Sequence, residues 1–152
     1  MKKIGLFPGS FDPFTKGHEE VVLKALDLFD EIVIGIGINS SKSSYFDLYK
    51  RIQHIESLFI DQPKISVKTY QKLTVDFCTD IGAQFIVRGL RDSKDFEYER
   101  SIAHMSLDIS DIETVFFLTA QRYSAINSSI VREIHKNKGS ITPFVTNSSI
   151  LV

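Results

Sequence analysis

The sequence predicts an α/β fold, a five-stranded parallel sheet with helices on both faces. Short apolar runs alternate five times with segments whose apolar residues recur at helical spacing. The runs at 32–38 and 85–87 carry apolar or glycine residues at successive positions, as strands buried on both faces do. The 152 residues suffice for one domain with a real core, and 43% hydrophobic with 24% charged residues are ordinary globular values. Right-handed crossovers in such a sheet bring the loops after the strands to one crevice beyond the strands' carboxyl ends.

The elements follow in order. Lys2 to Phe7 reads as the first strand and Gly17 to Phe29 as the first helix, with Val21, Val22, Ala25, Leu26 and Phe29 on its apolar face. Ile32 to Ile38 is a strand whose four isoleucines share one face, while Val33, Gly35 and Gly37 share the other. A face reduced to glycine permits close approach by a helix or a ligand. A dinucleotide fingerprint does not fit, because Ser40 stands where its third glycine would be. The polar loop Asn39 to Ser44 carries Lys42, and a helix over about 47–59 follows, with Ile52, Ile55, Leu58 and Phe59 as its stripe. That stripe leaves His54 as a solvated or partly packed residue.

Ile65 to Thr69 is the third strand, Thr74 to Ile81 a helix stopped by Gly82, and Phe85 to Val87 a brief strand running into Arg88-Gly89-Leu90-Arg91-Asp92. A helix over about 95–107 leads to the last strand, Thr114 to Leu118. Gln121 to Asn127 is loop, and Ser128-Ser129 open a final helix to about Lys136. The tail from about 140 reads either as an irregular packed segment or as a short helix. Periodicity leaves the order of the strands open.

Composition narrows the class of function. A formal net charge of −1 argues against a broad nucleic-acid surface. The single cysteine excludes an intrachain disulfide framework, and its apolar setting, Val75-Asp76-Phe77-Cys78, makes it a buried small hydrophobe rather than a nucleophile. The apolar run after Met1-Lys2-Lys3 breaks at Pro8-Gly9, unlike a secretory leader. No apolar stretch approaches the roughly 20 residues of a membrane span. The expectation is a cytoplasmic protein with neither membrane nor nucleic acid as partner.

The chemistry concentrates in Phe7-Pro8-Gly9-Ser10-Phe11-Asp12-Pro13-Phe14-Thr15-Lys16-Gly17-His18, a strand–loop–helix joint. Gly17 and His18 fall at a helix start, where unpaired N–H groups and the helix dipole favour anions. Ser10, Lys42, Arg88 and Ser124 each follow a predicted strand and should converge. With His18 and Arg91 they would suit a polyphosphate and a second phosphate. A Ser10–His18–Asp12 hydrolase lacks the Gly-x-Ser-x-Gly elbow. No Cys/His set suggests zinc, and no acidic cluster has metal-ligand spacing.

The joint resembles the signature of the nucleotidylyltransferase superfamily, a Gly-Ser/Thr-Phe-Asp-Pro loop followed by a Gly-His pair. Asn39-Ser40-Ser41-Lys42, Arg88-Gly89-Leu90-Arg91, Asp95-Phe96-Glu97-Tyr98-Glu99, Ala103-His104-Met105 and the stretch from Ser124 to Val131 narrow the resemblance to bacterial phosphopantetheine adenylyltransferases, over residues 2 to about 145. It implies a single Rossmann-like nucleotidylyltransferase domain over 1–152. The implied reaction joins ATP and 4′-phosphopantetheine into dephospho-coenzyme A and pyrophosphate, the penultimate step of coenzyme A synthesis. Magnesium would travel with the ATP phosphates, without protein ligands.

By that resemblance His18 stabilises the transition state, with Ser10, Lys42, Arg88 and Arg91 also at the chemistry. Ser10 and Phe11 contact phosphate. Gly89, Leu90, Arg91, Glu99, Tyr123, Ser124, Ala125, Ile126, Asn127, Ser128 and Ser129 line the ATP pocket, and Lys42, Thr74 and Arg88 hold the phosphopantetheine. A hexamer inhibited by coenzyme A is implied as well. The family's Ile-Ser-Ser-Ser run appears here as Ile126-Asn127-Ser128-Ser129, and the tail lacks the family's longer helical ending. Transfer to another phosphate, such as nicotinamide mononucleotide or glycerol 3-phosphate, and a non-catalytic nucleotide sensor are the competing readings.

Overall fold

The computed structural model describes Met1–Val152. Five strands, β1 (Ile4–Gly9), β2 (Glu31–Gly37), β3 (Ile65–Tyr70), β4 (Phe85–Leu90) and β5 (Glu113–Leu118), form one all-parallel sheet in the order β3-β2-β1-β4-β5. The helices are α1 (Lys16–Ala25), α2 (Leu48–Leu58), α3 (Thr74–Ile81), α4 (Ser93–Ile109) and α5 (Ser128–Lys136). The predicted fold class is the one observed.

Parity along β2 divides the core. Ile32, Ile34 and Ile36 pack under α1 and α2 with Val21, Val22, Ala25 and Ile55. Val33, on the other face, joins Leu6, Val75, Phe77, Cys78 and Ile86 beneath α3. At Gly35 that face is filled by the protein itself. A Cβ on Gly35 would stand 2.8 Å from Leu6 and 3.1 Å from Tyr70, and Tyr70 is stacked on Phe77 at 4.6 Å. Protein packing accounts for the missing side chain at Gly35, whereas a Cβ on Gly37 would meet Tyr70 only at 3.5 Å, an ordinary contact.

The sheet order reverses between β1 and β4, a topological switch point. β1 pairs with β2 over six residues, but with β4 only at Gly5–Phe85 and Leu6–Ile86. Beyond that point the two strands part, and the gap opens the crevice at their carboxyl ends.

Several predicted bounds move, and β1 runs from Ile4 to Gly9 rather than from Lys2 to Phe7. α1 ends at Ala25, because the chain then tightens into a turn, with Asp27 N–H on the Lys24 carbonyl at 3.2 Å and Leu28 N–H on the Ala25 carbonyl at 2.9 Å. β4 runs on through Arg88 and Gly89, whose backbones pair with Phe116 and Phe117 of β5, although charge ends the apolar pattern. α4 starts at Ser93, where the Asp92 carboxylate accepts from Asp95 N–H at 2.9 Å. The tail is irregular and closes in a 3₁₀ turn, Ser148–Ile150. Its Ile141, Val145 and Leu151 are buried against Phe46 and Val131, so the segment adds a small core of its own.

His54 corrects the expectation for its helix. It is fully buried, with Nε2 2.7 Å from the carbonyl oxygen of Thr146 in the tail. Only tertiary docking of that tail creates the burial. Burial lowers the pKa of His54, opposed by that backbone bond. Cys78 is fully buried as expected, and burial pushes its thiol up to about 11.

Candidate active site

Thr15 is the N-cap of α1, and His18 stands three residues on, where a capping box usually holds Glu or Gln. The Thr15 N–H donates to His18 Nδ1 at 3.0 Å, and His18 N–H donates to Thr15 Oγ1 at 3.4 Å. With Nδ1 accepting, the neutral imidazole carries its proton on Nε2. The ring sits among Phe7, Phe11 and Phe14 at centroid distances of 6.1, 5.1 and 5.3 Å. Burial first, then the Arg88 and Arg91 cations, lower its pKa from 6.5 to about 3. His18 is therefore a neutral donor, held at a helix start by the cap itself.

The loop before α1 is pinned through its carbonyls. Arg88 Nη1 donates to the Pro8 carbonyl at 2.7 Å, Arg51 Nη1 to Ser10 at 2.6 Å and Arg132 Nη1 to Asp12 at 2.7 Å. Ser128 Oγ donates to the Pro13 carbonyl at 3.0 Å. Phe11 sits at φ 48, the left-handed region that a bulky residue adopts only under constraint. Gly9 makes that conformation possible, since a Cβ there would meet the Phe11 ring at 2.9 Å. The Asp12 carboxylate accepts from Tyr45 N–H at 2.7 Å and Phe46 N–H at 2.8 Å. It is a backbone clamp, which removes it from any hydrolase triad.

A cavity of about 400 Å³ opens at the switch point. Of the predicted residues, Ser10, Phe11, His18, Arg88, Gly89, Arg91, Glu99, Tyr123, Ile126, Asn127, Ser128 and Ser129 line it. Glu99 takes Arg88 Nε at 2.8 Å in a bidentate pair, and Asp95 takes Arg91 Nε at 3.0 Å. These pairs hold both guanidinium groups at the wall and leave some of their N–H donors for an anion. Asn127 caps α5, accepting from Ser129 N–H at 2.8 Å, so the residue that replaces the family's serine orders the helix start.

Five predicted residues lie outside the lining. Leu90 ends β4, and Ser124 and Ala125 form the turn before α5. Lys42 is exposed on the loop after β2, and Thr74 opens α3 after β3, where its hydroxyl meets that of Tyr70 at 3.0 Å. Both belong to the far half of the same sheet edge, across β1 from the cavity. Arg132 and Thr119 line the cavity without having been singled out from the sequence, and Asp95, quoted there only as part of a motif, lines it too. Arg132 was legible, since it follows Ser129 by one helical turn and donates to its Oγ at 3.0 Å. No group of three or more His, Cys, Asp or Glu side chains is placed to hold a metal ion.

A parallel sheet with a cavity-lining strand–loop–helix joint at its switch point defines a Rossmann-type α/β domain, and residues 6–134 match the family described as Cytidylyltransferase-like. A bifunctional NMN adenylyltransferase/ADP ribose pyrophosphatase from Francisella tularensis shares the fold at a TM-score of 0.68 and 20% identity. That alignment covers 99% of this chain and 49% of the larger enzyme. Phosphopantetheine adenylyltransferases are closer in sequence. That of Flavobacterium johnsoniae is 49% identical over 97% of this chain and 97% of its own length, and that of Cytophaga hutchinsonii 47% identical over 95% and 97%. The chain belongs to the phosphopantetheine adenylyltransferase family of nucleotidyltransferases.

Proposed function

We propose that the protein transfers the adenylyl group of ATP to 4′-phosphopantetheine, giving dephospho-coenzyme A and pyrophosphate, by direct in-line attack without a covalent enzyme intermediate. An oxygen of the acceptor phosphate forms the new bond to the α-phosphorus as the bond to the β-phosphate oxygen breaks. The acceptor is already anionic, so no general base is required. Alignment and stabilisation of developing charge carry the catalysis.

The observation that carries this reading is the pairing of His18 with Thr15. It leaves a neutral Nε2–H donor in a wall that also holds Arg88, Arg91 and Arg132. His18 donates to an α-phosphate oxygen as charge grows there, Arg91 and Arg132 hold the departing pyrophosphate, and Arg88 meets the phosphate of the acceptor. The half of the sheet edge toward β3 takes the acceptor, with Lys42 and Thr74 along its path. Asp95 and Glu99 are engaged by Arg91 and Arg88. Magnesium would therefore take its ligands from ATP phosphates and water, offsetting phosphate charge.

A hexamer, inhibition by coenzyme A and residence in the cytoplasm complete the proposal. Exposed Tyr98, Met105 and Ile109 on α4 support self-association. No helix is long and apolar enough to cross a membrane. The test is pyrophosphate release from ATP and magnesium with 4′-phosphopantetheine, with nicotinamide mononucleotide as control acceptor. Release with the first alone, with dephospho-coenzyme A formed, is expected. Release with the control alone overturns the acceptor, and silence with both, alongside ATP binding, favours a sensor.

A further inference from the structure

Arg51 lies on α2, is only 6% exposed and does not line the cavity. It belongs to none of the molecule's ion pairs. Its donors go to neutral oxygens: Nη1 to the Ser10 carbonyl at 2.6 Å, Nη2 to Ser44 Oγ at 2.9 Å and Nε to the Phe46 carbonyl at 3.1 Å. A buried charge with no carboxylate in contact, Asp12 and Asp47 acting on it only from a distance, is an expensive way to tie two loops together.

We propose that Arg51 is a positioning residue for phosphate binding, which holds the Ser10 carbonyl so that the N–H of Phe11 is aimed into the cavity as an anion donor. This rests on the reading that the cavity takes the phosphates of a nucleotide.

The geometry is that of one peptide plane. The molecule's one cis bond is Asp12–Pro13, so the Ser10–Phe11 bond is trans. In a trans peptide the C=O and N–H point in opposite directions. With the carbonyl drawn to Arg51, the Phe11 N–H is turned away from α2. That N–H has no acceptor within the protein, and Phe11 lines the cavity. The plane is fixed from its other end as well, by the Phe11 ring packed on Phe14 at 5.0 Å and on His18 at 5.1 Å. A guanidinium on the carbonyl also polarises the peptide, which strengthens its N–H as a donor.

The two other arginines on this loop do different work. Arg88 reaches the cavity itself, and the carbonyl held by Arg132 belongs to Asp12, whose following residue, Pro13, has no N–H to aim. Arg51 alone acts through the peptide. Its mount is held by the Asp12 carboxylate, which takes the N–H groups of Tyr45 and Phe46 from the segment that Arg51 holds by Ser44 and Phe46.

The experiment follows backbone amide resonances in TROSY spectra of ¹⁵N-labelled protein as inorganic pyrophosphate and magnesium are added. In the wild type the Phe11 amide is expected to move downfield and saturate with the binding curve. Arg51→Met should abolish that shift and weaken pyrophosphate binding by at least about tenfold, with kcat/KM for ATP down by about 10²-fold, the loss typical of one preorganised donor. Arg51→Lys, which keeps the charge and can keep one bond, should recover part of each. Ser44→Ala, which leaves the Ser10 contact in place, should match the wild type.

A Phe11 amide that stays put in the wild type while Gly17 and Gly89 respond overturns the proposal, and needs no variant to fold. So does a folded Arg51→Met that binds pyrophosphate normally and merely melts earlier. A wild type that binds pyrophosphate with the expected Phe11 shift but fails to use 4′-phosphopantetheine overturns the acceptor and leaves Arg51 in place. A wild type that binds no pyrophosphate overturns both.

Discussion

His18→Ala should lower kcat/KM, which reports the ionisation of the free enzyme, by the same factor at every pH between 5 and 8, about 10²- to 10³-fold, the cost of removing one transition-state donor. The constancy follows from the pKa of about 3. At pH 5 a group with that value is about 1% protonated, and one at the ordinary 6.5 about 97%. Even one unit higher, the native ring would be about 9% protonated at pH 5. Both enzymes will share an acid limb, because the acceptor phosphate itself titrates near about 6, so the ratio of the two is the quantity to measure. The assay is pyrophosphate release at subsaturating concentrations of both substrates, with long-range ¹⁵N spectra of the labelled imidazole in the free enzyme to report the tautomer.

Linkage gives the same pKa a second consequence. Below pH 6.5 the unfolded chain takes up a proton that native His18 refuses, so folding stability falls as pH drops from there toward 3. At pH 5 that one ring costs about 2 kcal/mol relative to neutral pH. His18→Ala should therefore lose less stability between pH 7.5 and 5 than the wild type. A wild-type to variant rate ratio that climbs toward low pH, or a ring with its proton on Nδ1, would refute the neutral-donor mechanism.

Two further predictions test the frame around the site. Gly9→Ala places a Cβ 2.9 Å from the Phe11 ring, an overpacking that should cost about 1–3 kcal/mol in denaturant melts. It should also slow turnover by displacing the Phe11 peptide, and a stable, fully active variant would show that the loop tolerates another course. Cys78, buried with its thiol pushed up to about 11, should resist a disulfide reagent in the native state and react at once in guanidinium. Rapid native labelling would contradict the packing under α3.

The site divides into what was legible along the chain and what was not. Ser10, His18, Arg88, Arg91 and Asn127–Ser129 sit at strand ends and helix starts, where sequence marks both the boundary and the polar type. Arg132 could have been read with them by helical spacing. Arg51 and His54 carried no such mark, because each is defined by a distant backbone carbonyl, that of Ser10 for one and Thr146 for the other. The glycine face of β2 showed correctly that something approaches closely, but not that the visitor was the protein's own Tyr70 and Phe77.

Local pattern was enough for the class of fold, since the alternation of strands and helices depends on side chains a few residues apart. The strand–loop–helix joint at the cavity was likewise local, one loop and one helix start. Strand order was not, because it depends on which strands meet after the crossovers fold. Only the tertiary structure placed β1 beside β4, parted them beyond Leu6 and Ile86, and so put the crevice between Ser10 and Arg88. The same docking packed phenylalanines around His18 and set two cations near it, which turns a histidine with an ordinary pKa of 6.5 into a neutral donor at about 3. Desolvation and the Coulomb field are sums over neighbours from the whole fold, and no stretch of sequence contains that sum.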